Sequence, residues 1–396
     1  MGAVLITAYT ILSLTKPLPM LKGKPLNYTK AAGDVMVTWP GGVEAAVGAE
    51  DKIFTSAASE PKVPFASINK AVTALAIVKK KPLGKVVNGI QMNDFTGETI
   101  TFGPADEALY NLYVAKGGSV VRVKNGDRLT EYQALQALLM ASGNNYADSL
   151  VQWAFGSMDA YTAFANDMLR EYGITNTTIK EASGFDDLST STASDIIKIG
   201  KKLKADPGLS QIVGLNEATL PTVGKIYNTN ELIVKNSAVG IKTGHTNGAG
   251  YCLLLAEPFY AEGGKANETL YSVVLGAGSS QESFALSSQL LRSFWEGNYG
   301  RVVVAKKGAA FATYTAPWGA DVTAVAKEDI VAHDAKFLTF EAVANTENVA
   351  ASAKGGAVTG DVRGRNFTPL TGKPVELVLT KDIPKPSVWW RLTHYF

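Results

Sequence analysis

Apolar residues recur at helical spacing over most of the first 300 positions. This spacing predicts helices over residues 67–81, 130–141, 146–155, 158–173, 192–206 and 282–297. Thr130 and Thr192 occupy positions where N-caps are expected, and Pro82 and Gly173 occupy positions where helices end. Residues 83–127 follow neither period and are predicted to be irregular.

Strand-like apolar runs lie at both ends of the same region. Two runs flank Pro40-Gly41-Gly42, which indicates a hairpin, and further strands are predicted at residues 248–258 and 269–278. Beyond Asn298 the apolar runs are short, alternating and separated by Gly and Asp. The predicted fold class is therefore α+β: an antiparallel sheet flanked by helices over residues 33–298, followed by a small all-β domain over residues 299–396.

The N-terminal segment carries no charge before Lys16. A membrane-spanning helix needs roughly 20 apolar residues, and no basic region precedes this run as in a signal peptide. Residues 16–32 are rich in Pro, Lys and Gly and are predicted to be a linker. We expect residues 1–32 to combine the remnant of a truncated signal or membrane anchor with that linker; a short buried segment is the alternative.

Composition and charge exclude several function classes. The 396 residues include 38 basic and 36 acidic side chains, so the net charge of +2 gives no electrostatic case for nucleic-acid binding. The single cysteine, Cys252, forms no internal disulfide. Three scattered histidines and one cysteine are too few for a usual zinc site, and we expect neither a metal nor another cofactor.

The first candidate chemistry is Ser67-Ile68-Asn69-Lys70, at the start of the first predicted helix. A serine hydroxyl is a weak nucleophile unless a base removes its proton, and a lysine three residues later lies on the same helix face. Burial and nearby positive charge lower the pKa of a lysine, so its neutral amine can act as that base. The plainer interpretation is a helix start with Ser67 as the N-cap, and this motif alone does not decide.

Two further motifs follow in order. Ser142-Gly143-Asn144 interrupts a helical pattern, either as a simple turn or as a loop that presents a hydroxyl and an amide to a cleft. Lys242-Thr243-Gly244 precedes a strand: Lys242 and Thr243 offer a cation and a hydroxyl suited to a carboxylate, and Gly244 would let a substrate backbone approach closely. A Gly-rich hairpin start is the alternative. Each motif is weak alone, but their order, with successive starts 75 and 100 residues apart, is a strong signal.

The sequence resembles the D-alanyl-D-alanine carboxypeptidases of the low-molecular-mass penicillin-binding type, serine peptidase family S11. The resemblance covers residues 33–298, and the β-rich tail resembles the C-terminal domain of that family less specifically. It implies a catalytic domain with the fold of serine β-lactamases and DD-peptidases. The residues that carry it are PFASINKAVTAL, LLMASGNNYADSL, ASGFDDLSTSTASDI, YNTNELI, GIKTGHTNGAGYCL and YSVVLGAGS.

The resemblance implies a role for each motif residue. Ser67 would be the nucleophile that forms the acyl-enzyme, Lys70 its general base, and Ser142 a proton relay to the leaving amine. The remaining residues would bind substrate: Asn144 the amide, Lys242 and Thr243 the terminal carboxylate, Gly244 the approaching backbone, and His245, with Ser67, the oxyanion through backbone N–H groups.

The resemblance also implies partners and a location. The substrate would be the peptidoglycan stem peptide, and β-lactam antibiotics would acylate Ser67 as covalent inhibitors. We expect an exported, extracytoplasmic monomer of the bacterial cell envelope, and membrane association through a terminus is left open. Two positions depart from the family pattern: Asn69 stands where Thr is common, and Asn145 where an acidic residue is common. Both departures bear on substrate preference.

Four other functions remain as alternatives. A DD-endopeptidase that cuts peptidoglycan crosslinks shares the motifs. A class A β-lactamase needs a glutamate base in an E-x-x-L-N pattern, and none of Glu171, Glu181 and Glu217 lies in one. A Ser-His-Asp hydrolase built on His245 would lack the G-x-S-x-G elbow. A non-catalytic wall-binding protein is disfavoured by the intact Ser67 and Lys70.

Overall fold

The computed structural model describes residues 2–49, 51–84, 86–87, 90–91, 95–235, 238–260 and 267–394. The chain divides into two compact units, Val37–Trp295 and the combination of Met1–Met36 with Glu296–Phe396. The helices of the described residues are α1 Gly2–Thr15, α2 Asn69–Lys80, α3 Pro104–Ala115, α4 Glu131–Leu139, α5 Asn144–Phe155, α6 Met158–Glu171, α7 Ala193–Ala205, α8 Pro207–Gly214, α9 Leu232–Lys235, α10 Ser280–Asn298 and α11 Val388–Thr393.

The strands fall into one large sheet in each unit and several two-stranded pairs. They are β1 Gly23–Pro25, β2 Tyr28–Lys30, β3 Glu44–Ala49, β4 Lys52–Thr55, β5 Val63–Pro64, β6 Val86–Val87, β7 Ile90–Gln91, β8 Thr99–Thr101, β9 Arg128–Thr130, β10 Thr190–Ser191, β11 Glu217–Leu220, β12 Gly224–Tyr227, β13 Ile241–Thr246, β14 Gly250–Tyr260, β15 Asn267–Ala277, β16 Tyr299–Ala305, β17 Ala310–Thr315, β18 Asp321–Ala326, β19 Ile330–Ala335, β20 Phe340–Thr346, β21 Val358–Gly364 and β22 Val375–Leu379.

The unit Val37–Trp295 contains a five-stranded antiparallel sheet in the order β13-β14-β15-β3-β4. A Cβ on Gly48 would lie 2.5 Å from Ile197 of α7, so this residue of β3 faces α7. Its neighbour Val47 pairs with Phe54, whose ring packs against Phe294 of α10. Adjacent strand residues point to opposite faces, so α7 and α10 cover opposite faces of the sheet. The predicted sheet, with strands from both ends of the segment, is confirmed.

Helix α2 lies at the centre of the helical part of this unit. Ten of its 12 residues are buried, and it packs against α4, α5, α6 and α7. A helix that is buried on nearly every side belongs to a core, and the charged Lys70 is included in that burial. The side chain of Thr130 caps α4 by accepting a hydrogen bond from the Gln133 N–H, as predicted, and that of Thr192 caps α7.

The other unit is built on a seven-stranded antiparallel sheet in the order β1-β17-β18-β22-β21-β20-β2, beside the pair β16-β19. Its core is apolar and includes Phe311, Tyr314, Val362 and Leu377. The two edge strands, β1 and β2, are separated by only Leu26 and Asn27. Two residues span about 10 Å at most, so the sheet must curl round on itself. The predicted β-rich C-terminal region is confirmed.

The two ends of the chain meet in this unit. Tyr9 of α1 donates a hydrogen bond to the Leu392 carbonyl oxygen at 2.6 Å, and the Arg391 guanidinium donates to the Leu14 carbonyl oxygen at 2.5 Å. Several apolar side chains of both helices remain exposed, among them Leu5 and Trp389. Among the described residues, no helix reaches the combination of length and apolarity that crossing a membrane requires.

Three segments differ from the sequence-based expectation. Residues 16–32, predicted as a linker, contain β1 and β2, which pair with β17 and β20; three-residue edge strands are too short to show a period. The first hairpin turns between Ala49 and Lys52 rather than at Pro40–Gly42, because β3 begins only at Glu44. The predicted irregular stretch 83–127 contains α3, which Gly103 and Asp106 cap.

Candidate active site

Ser67 lies in a tight 3₁₀ turn, Ala66–Ile68, immediately before α2. The turn begins with Ala66 in the left-handed region at φ 48°, an uncommon conformation for a residue with a Cβ. Two glycines permit this packing: a Cβ on Gly184 would lie 1.9 Å from the Ala66 carbonyl oxygen, and one on Gly244 would lie 3.0 Å from the Ser67 nitrogen. The expectation that Ser67 is the N-cap is wrong, since Ile68 takes that position and no side chain caps the turn.

The Ser67 hydroxyl instead contacts Lys70. The Lys70 Nζ lies 2.7 Å from Ser67 Oγ, 2.7 Å from Asn144 Oδ1 and 2.7 Å from the Ser183 carbonyl oxygen. An amide oxygen and a carbonyl oxygen only accept hydrogen bonds, whereas a hydroxyl can also donate. A neutral amine has two N–H groups and one lone pair. The two acceptors therefore take its N–H groups, and the lone pair is left facing the Ser67 hydroxyl.

Burial favours the neutral form of Lys70. The side chain is fully buried, and the resulting loss of solvation lowers its pKa from 10.5 to about 7. The charges of Glu181 and Asp148 oppose this by raising the pKa. Near neutral pH the amine is thus divided between its charged and neutral forms, which suits a general base.

The second motif forms the turn before α5. Ser142 adopts a left-handed conformation at φ 59° and lines the same pocket as Ser67; within the described part of the chain its hydroxyl makes no hydrogen bond. Asn144 opens α5 and contacts Lys70. Asn145 points the other way, where its amide donates to the Val121 carbonyl oxygen at 2.9 Å and accepts from the Val121 N–H at 3.1 Å. This departure from the family pattern therefore secures the middle of the loop between α3 and β9.

The third motif lies on β13, an edge strand of the sheet. The Lys242 side chain is buried, and its Nζ donates to the Thr243 carbonyl oxygen at 3.0 Å. Desolvation, followed by repulsion from Lys70, lowers the pKa of Lys242 well below its usual value. The Thr243 hydroxyl lies 2.7 Å from the Thr229 hydroxyl. His245 is exposed and stacks on Tyr251 at 3.9 Å between ring centroids.

These elements enclose one pocket of about 260 Å³ in the unit Val37–Trp295. An edge strand leaves alternate backbone N–H and C=O groups unpaired, and the pocket lies along β13, so an extended peptide can pair there. Six predicted residues line the pocket, while Lys70 and Lys242 lie buried beside its lining. The lining residues are Ser67, Gly117, Gly118, Ser119, Ser142, Asn144, Gly184, Phe185, Thr229, Thr243, Gly244, His245, Tyr251, Cys252, Ser280 and Ser283.

Several residues of the site were not singled out from the sequence. Ser183 provides an acceptor to Lys70 through its main chain, which no side-chain pattern reveals. The Thr229 hydroxyl is hydrogen-bonded to the Thr243 hydroxyl. Thr229 lies in the segment YNTNELI, which carries the family resemblance, so a signal for this residue was present in the sequence. Tyr113 donates from its hydroxyl to Asp148 Oδ2 at 2.8 Å, and its ring makes an edge-to-face contact with the ring of Phe185. Burial raises the pKa of Asp148 to about 6.

Glu181 is one of the three glutamates considered as a deacylation base, and both of its carboxylate oxygens already accept hydrogen bonds within the protein. Its Oε1 accepts from the Asn69 amide at 3.0 Å and from the Gly184 N–H at 2.6 Å, and its Oε2 accepts from the N–H and the hydroxyl of Ser183, both at 2.7 Å. Four donors leave little capacity for a water molecule. Among the described residues, no cluster of three or more His, Cys, Asp or Glu side chains could hold a metal ion.

Known proteins resemble this chain in both sequence and structure. The family model of Peptidase_S11, D-alanyl-D-alanine carboxypeptidase, matches residues 45–279, more than half of the chain. The D-alanyl-D-alanine carboxypeptidase DacC of Escherichia coli (strain K12) is 28% identical over 248 residues, which is 61% of this chain and 58% of DacC. The match therefore spans less than two thirds of that relative. A D-alanyl-D-alanine endopeptidase of Pseudomonas aeruginosa is 29% identical over 265 residues, 63% of this chain and 76% of the relative.

A solved structure agrees with the fold. The crystal structure of a D-alanyl-D-alanine carboxypeptidase from Mycobacterium tuberculosis H37Rv superposes with a TM-score of 0.54 at 26% identity, covering 67% of this chain and 94% of that chain. The mixed α/β unit with its antiparallel sheet is therefore a penicillin-binding, DD-peptidase fold. On the family match together with this fold, the chain belongs to peptidase family S11, the D-alanyl-D-alanine carboxypeptidases.

Proposed function

We propose that this protein is a serine-type D-Ala-D-Ala carboxypeptidase that removes the terminal D-alanine from peptidoglycan stem pentapeptides. The observation that carries the proposal is the arrangement around Lys70, whose two acceptor partners direct its lone pair to the Ser67 hydroxyl. A hydrolase of this class needs a nucleophile and a base within hydrogen-bond distance of each other, and the base must be neutral near pH 7.

Acylation follows from this arrangement. Lys70 takes the proton of Ser67, and Ser67 Oγ attacks the carbonyl carbon of the penultimate D-alanine. The N–H groups of Ser67 and His245 stabilise the oxyanion, since Gly244 brings β13 against the Ser67 turn. The terminal carboxylate lies toward Lys242 and Thr243. The proton reaches the leaving amine from Lys70 with Ser142 as the relay, and D-alanine departs.

Deacylation completes the cycle. Water attacks the acyl-enzyme ester, the same donors stabilise the second oxyanion, and the Ser67 oxygen recovers its proton as the shortened peptide leaves. β-Lactams mimic the peptide terminus and acylate Ser67 in the same way. Because the substrate is peptidoglycan, the protein works outside the cytoplasm in the bacterial cell envelope. Its action as a monomer and its membrane association remain predictions.

Mass spectrometry of a pentapeptide ending in D-Ala-D-Ala tests the reaction. Wild-type protein should release one alanine, and a fluorescent penicillin should label Ser67. The Ser67→Ala variant should do neither, because no other residue supplies the nucleophile. A Ser67→Ala protein that still released alanine would refute the assignment, and a folded wild type that penicillin does not label would favour a wall-binding protein without catalysis.

An endopeptidase that cuts D-Ala crosslinks is the second candidate, because a relative of similar identity carries that name. The discriminating experiment offers crosslinked muropeptide and pentapeptide to the same preparation. Preferential loss of the terminal alanine supports the carboxypeptidase, and preferential crosslink cleavage supports the endopeptidase. Sustained fast nitrocefin turnover would indicate a β-lactamase, which the occupied carboxylate of Glu181 disfavours.

A further inference from the structure

The loop of residues 181–184, here called the Glu181 loop, is hydrogen-bonded to α2 at three successive carbonyl groups. The Glu181 carbonyl oxygen accepts from the Asn69 amide at 2.7 Å and the Ala182 carbonyl oxygen from the Thr73 hydroxyl at 2.6 Å. The third, the Ser183 carbonyl oxygen, accepts from Lys70 at 2.7 Å. Lys70 is thus one of three α2 side chains that donate hydrogen bonds to the Glu181 loop.

The carboxylate of Glu181 fixes the shape of this loop from within. Its two oxygens accept from the N–H groups of Ser183 and Gly184, from the Ser183 hydroxyl and from the Asn69 amide. Since Asn69 donates both to this carboxylate and to the Glu181 carbonyl oxygen, one amide ties the loop to the residue next to Lys70. Charge-assisted hydrogen bonds of this kind are stronger than neutral ones.

We propose that Glu181 is a positioning residue of the reaction: through the Glu181 loop it holds the Ser183 carbonyl oxygen at the place where that oxygen accepts a hydrogen bond from Lys70. The inference rests on the proposed function. Without a fixed acceptor at Ser183, the amine can rotate, and its lone pair no longer points only at Ser67. Asn69, where the family commonly has Thr, is the donor that ties the Glu181 loop to α2 beside Lys70.

The charges that face Lys70 come from helix α5, strand β13 and the Glu181 loop. The charges of Glu181 and of Asp148 on α5 both raise the pKa of Lys70 and so oppose the lowering of that pKa by burial. Lys242 on β13 repels Lys70. Asp148 in turn receives a hydrogen bond from Tyr113 of α3, and its pKa is raised chiefly by burial and further by the charges of Glu181 and Asp186. Removing the charge of Glu181 therefore takes away a stabiliser of the protonated amine.

The variant Glu181→Gln separates this role from a purely structural one. The amide keeps the size of the side chain but loses the charge and one acceptor. We expect the plateau rate of acylation by a penicillin above pH 8 to fall about tenfold, while the apparent pKa of the acid limb moves down by about half to one unit. The ratio of variant to wild-type rate should therefore rise as the pH falls from 8 to 6. A general loss of packing would lower the rate without moving the pKa.

Asn69→Ala provides the complementary variant, because it removes the donor but keeps the charge of Glu181. Its plateau should fall while the apparent pKa stays in place. Glu171→Gln is the matched control: Glu171 lies in the same region, exposed and paired with Lys79 on the surface, and its loss should change neither value.

Two results would overturn the inference. The first is a folded Glu181→Gln protein with both plateau and apparent pKa like wild type. The second, decisive if Glu181→Gln does not fold, is an Asn69→Ala protein with an unchanged plateau. Wild-type protein that is never acylated at Ser67 would refute the proposed function itself, and the inference with it, so the two failures are distinguishable.

Discussion

The two units of the molecule place their charged side chains in opposite ways. In Val37–Trp295 the described residues include four Asp, Glu, Lys or Arg side chains that are almost wholly buried, namely Lys70, Glu131, Asp195 and Lys242. In the other unit the ion pairs of the described residues lie at the surface; Lys306–Asp329 and Arg365–Glu341 are two examples. One unit carries the cost of buried charge, and the other avoids it.

The difference shows where chemistry and where stability are concentrated. Burying a charge costs several kcal/mol unless partners compensate for it, so such groups persist for a structural or chemical reason. Asp195 is buried for a structural reason, because its carboxylate accepts hydrogen bonds from the Asn176 N–H and the Lys198 ammonium. Lys70 and Lys242 lie together beside a pocket, where a perturbed pKa is useful. The β-rich unit has an apolar core, and among its described residues no Asp, Glu, Lys or Arg side chain is buried in this way.

The largest expected effect is at Lys70. The variant Lys70→Met keeps an unbranched side chain, one atom shorter, that suits a buried site, but removes the base, so acylation of Ser67 by a penicillin should slow by at least about 10³-fold. Stopped-flow labelling measures the rate, and circular dichroism checks that the protein is folded. Lys306→Met in the β-rich unit is the matched control and should leave the rate unchanged. A Lys70→Met rate within tenfold of wild type would show that Lys70 is not the base.

The pH dependence tests the same comparison without mutation. Only the neutral amine of Lys70 can take the proton of Ser67, and its pKa is about 7. The acylation rate should therefore be flat above pH 8 and fall towards tenfold per pH unit below pH 6, since the neutral fraction falls by that factor. Rates measured from pH 5.5 to 9 give the apparent pKa directly. A profile that stays flat down to pH 5.5 would contradict the assigned base.

Periodicity and motif order anticipated much of both units. Six helices (α2, α4, α5, α6, α7 and α10), the antiparallel sheet and the three motifs were predicted, because burial on a helix or strand leaves a period and each motif is local. The contacts of Lys70 with Asn144 and Ser183 join residues 74 and 113 positions away, and one of them is to a main-chain oxygen, so no local pattern reports them. Helix α3 did carry signals, Gly103-Pro104 at its start and Gly117 beyond its end, that could have identified it.

A buried hydrogen-bonded side chain near the site should matter for stability more than for rate. Asn145→Ala leaves the N–H and the carbonyl oxygen of Val121 without their partner, at a cost of about 2–4 kcal/mol. Loss of penicillin labelling on heating should shift down by several degrees, while the initial labelling rate at 25 °C changes little. Asn145→Asp should have an intermediate effect, since a carboxylate accepts from the Val121 N–H but cannot donate. Equal thermal stability of all three proteins would contradict this role.

The smallest effect is expected where a charge pair lies on the surface of the β-rich unit. Arg365 Nη1 and Glu341 Oε2 are 3.1 Å apart, with side chains 67% and 43% exposed. Water solvates both charges when they separate, so the pair gains little from its contact, and Arg365→Ala should change the free energy of unfolding of this unit by less than about 1 kcal/mol. Calorimetry at two salt concentrations measures this change, which salt should reduce further by screening. Since the core beneath this pair is apolar, a loss above about 2 kcal/mol would mean that the β-rich unit depends on its surface charges, and the contrast between the two units would fail.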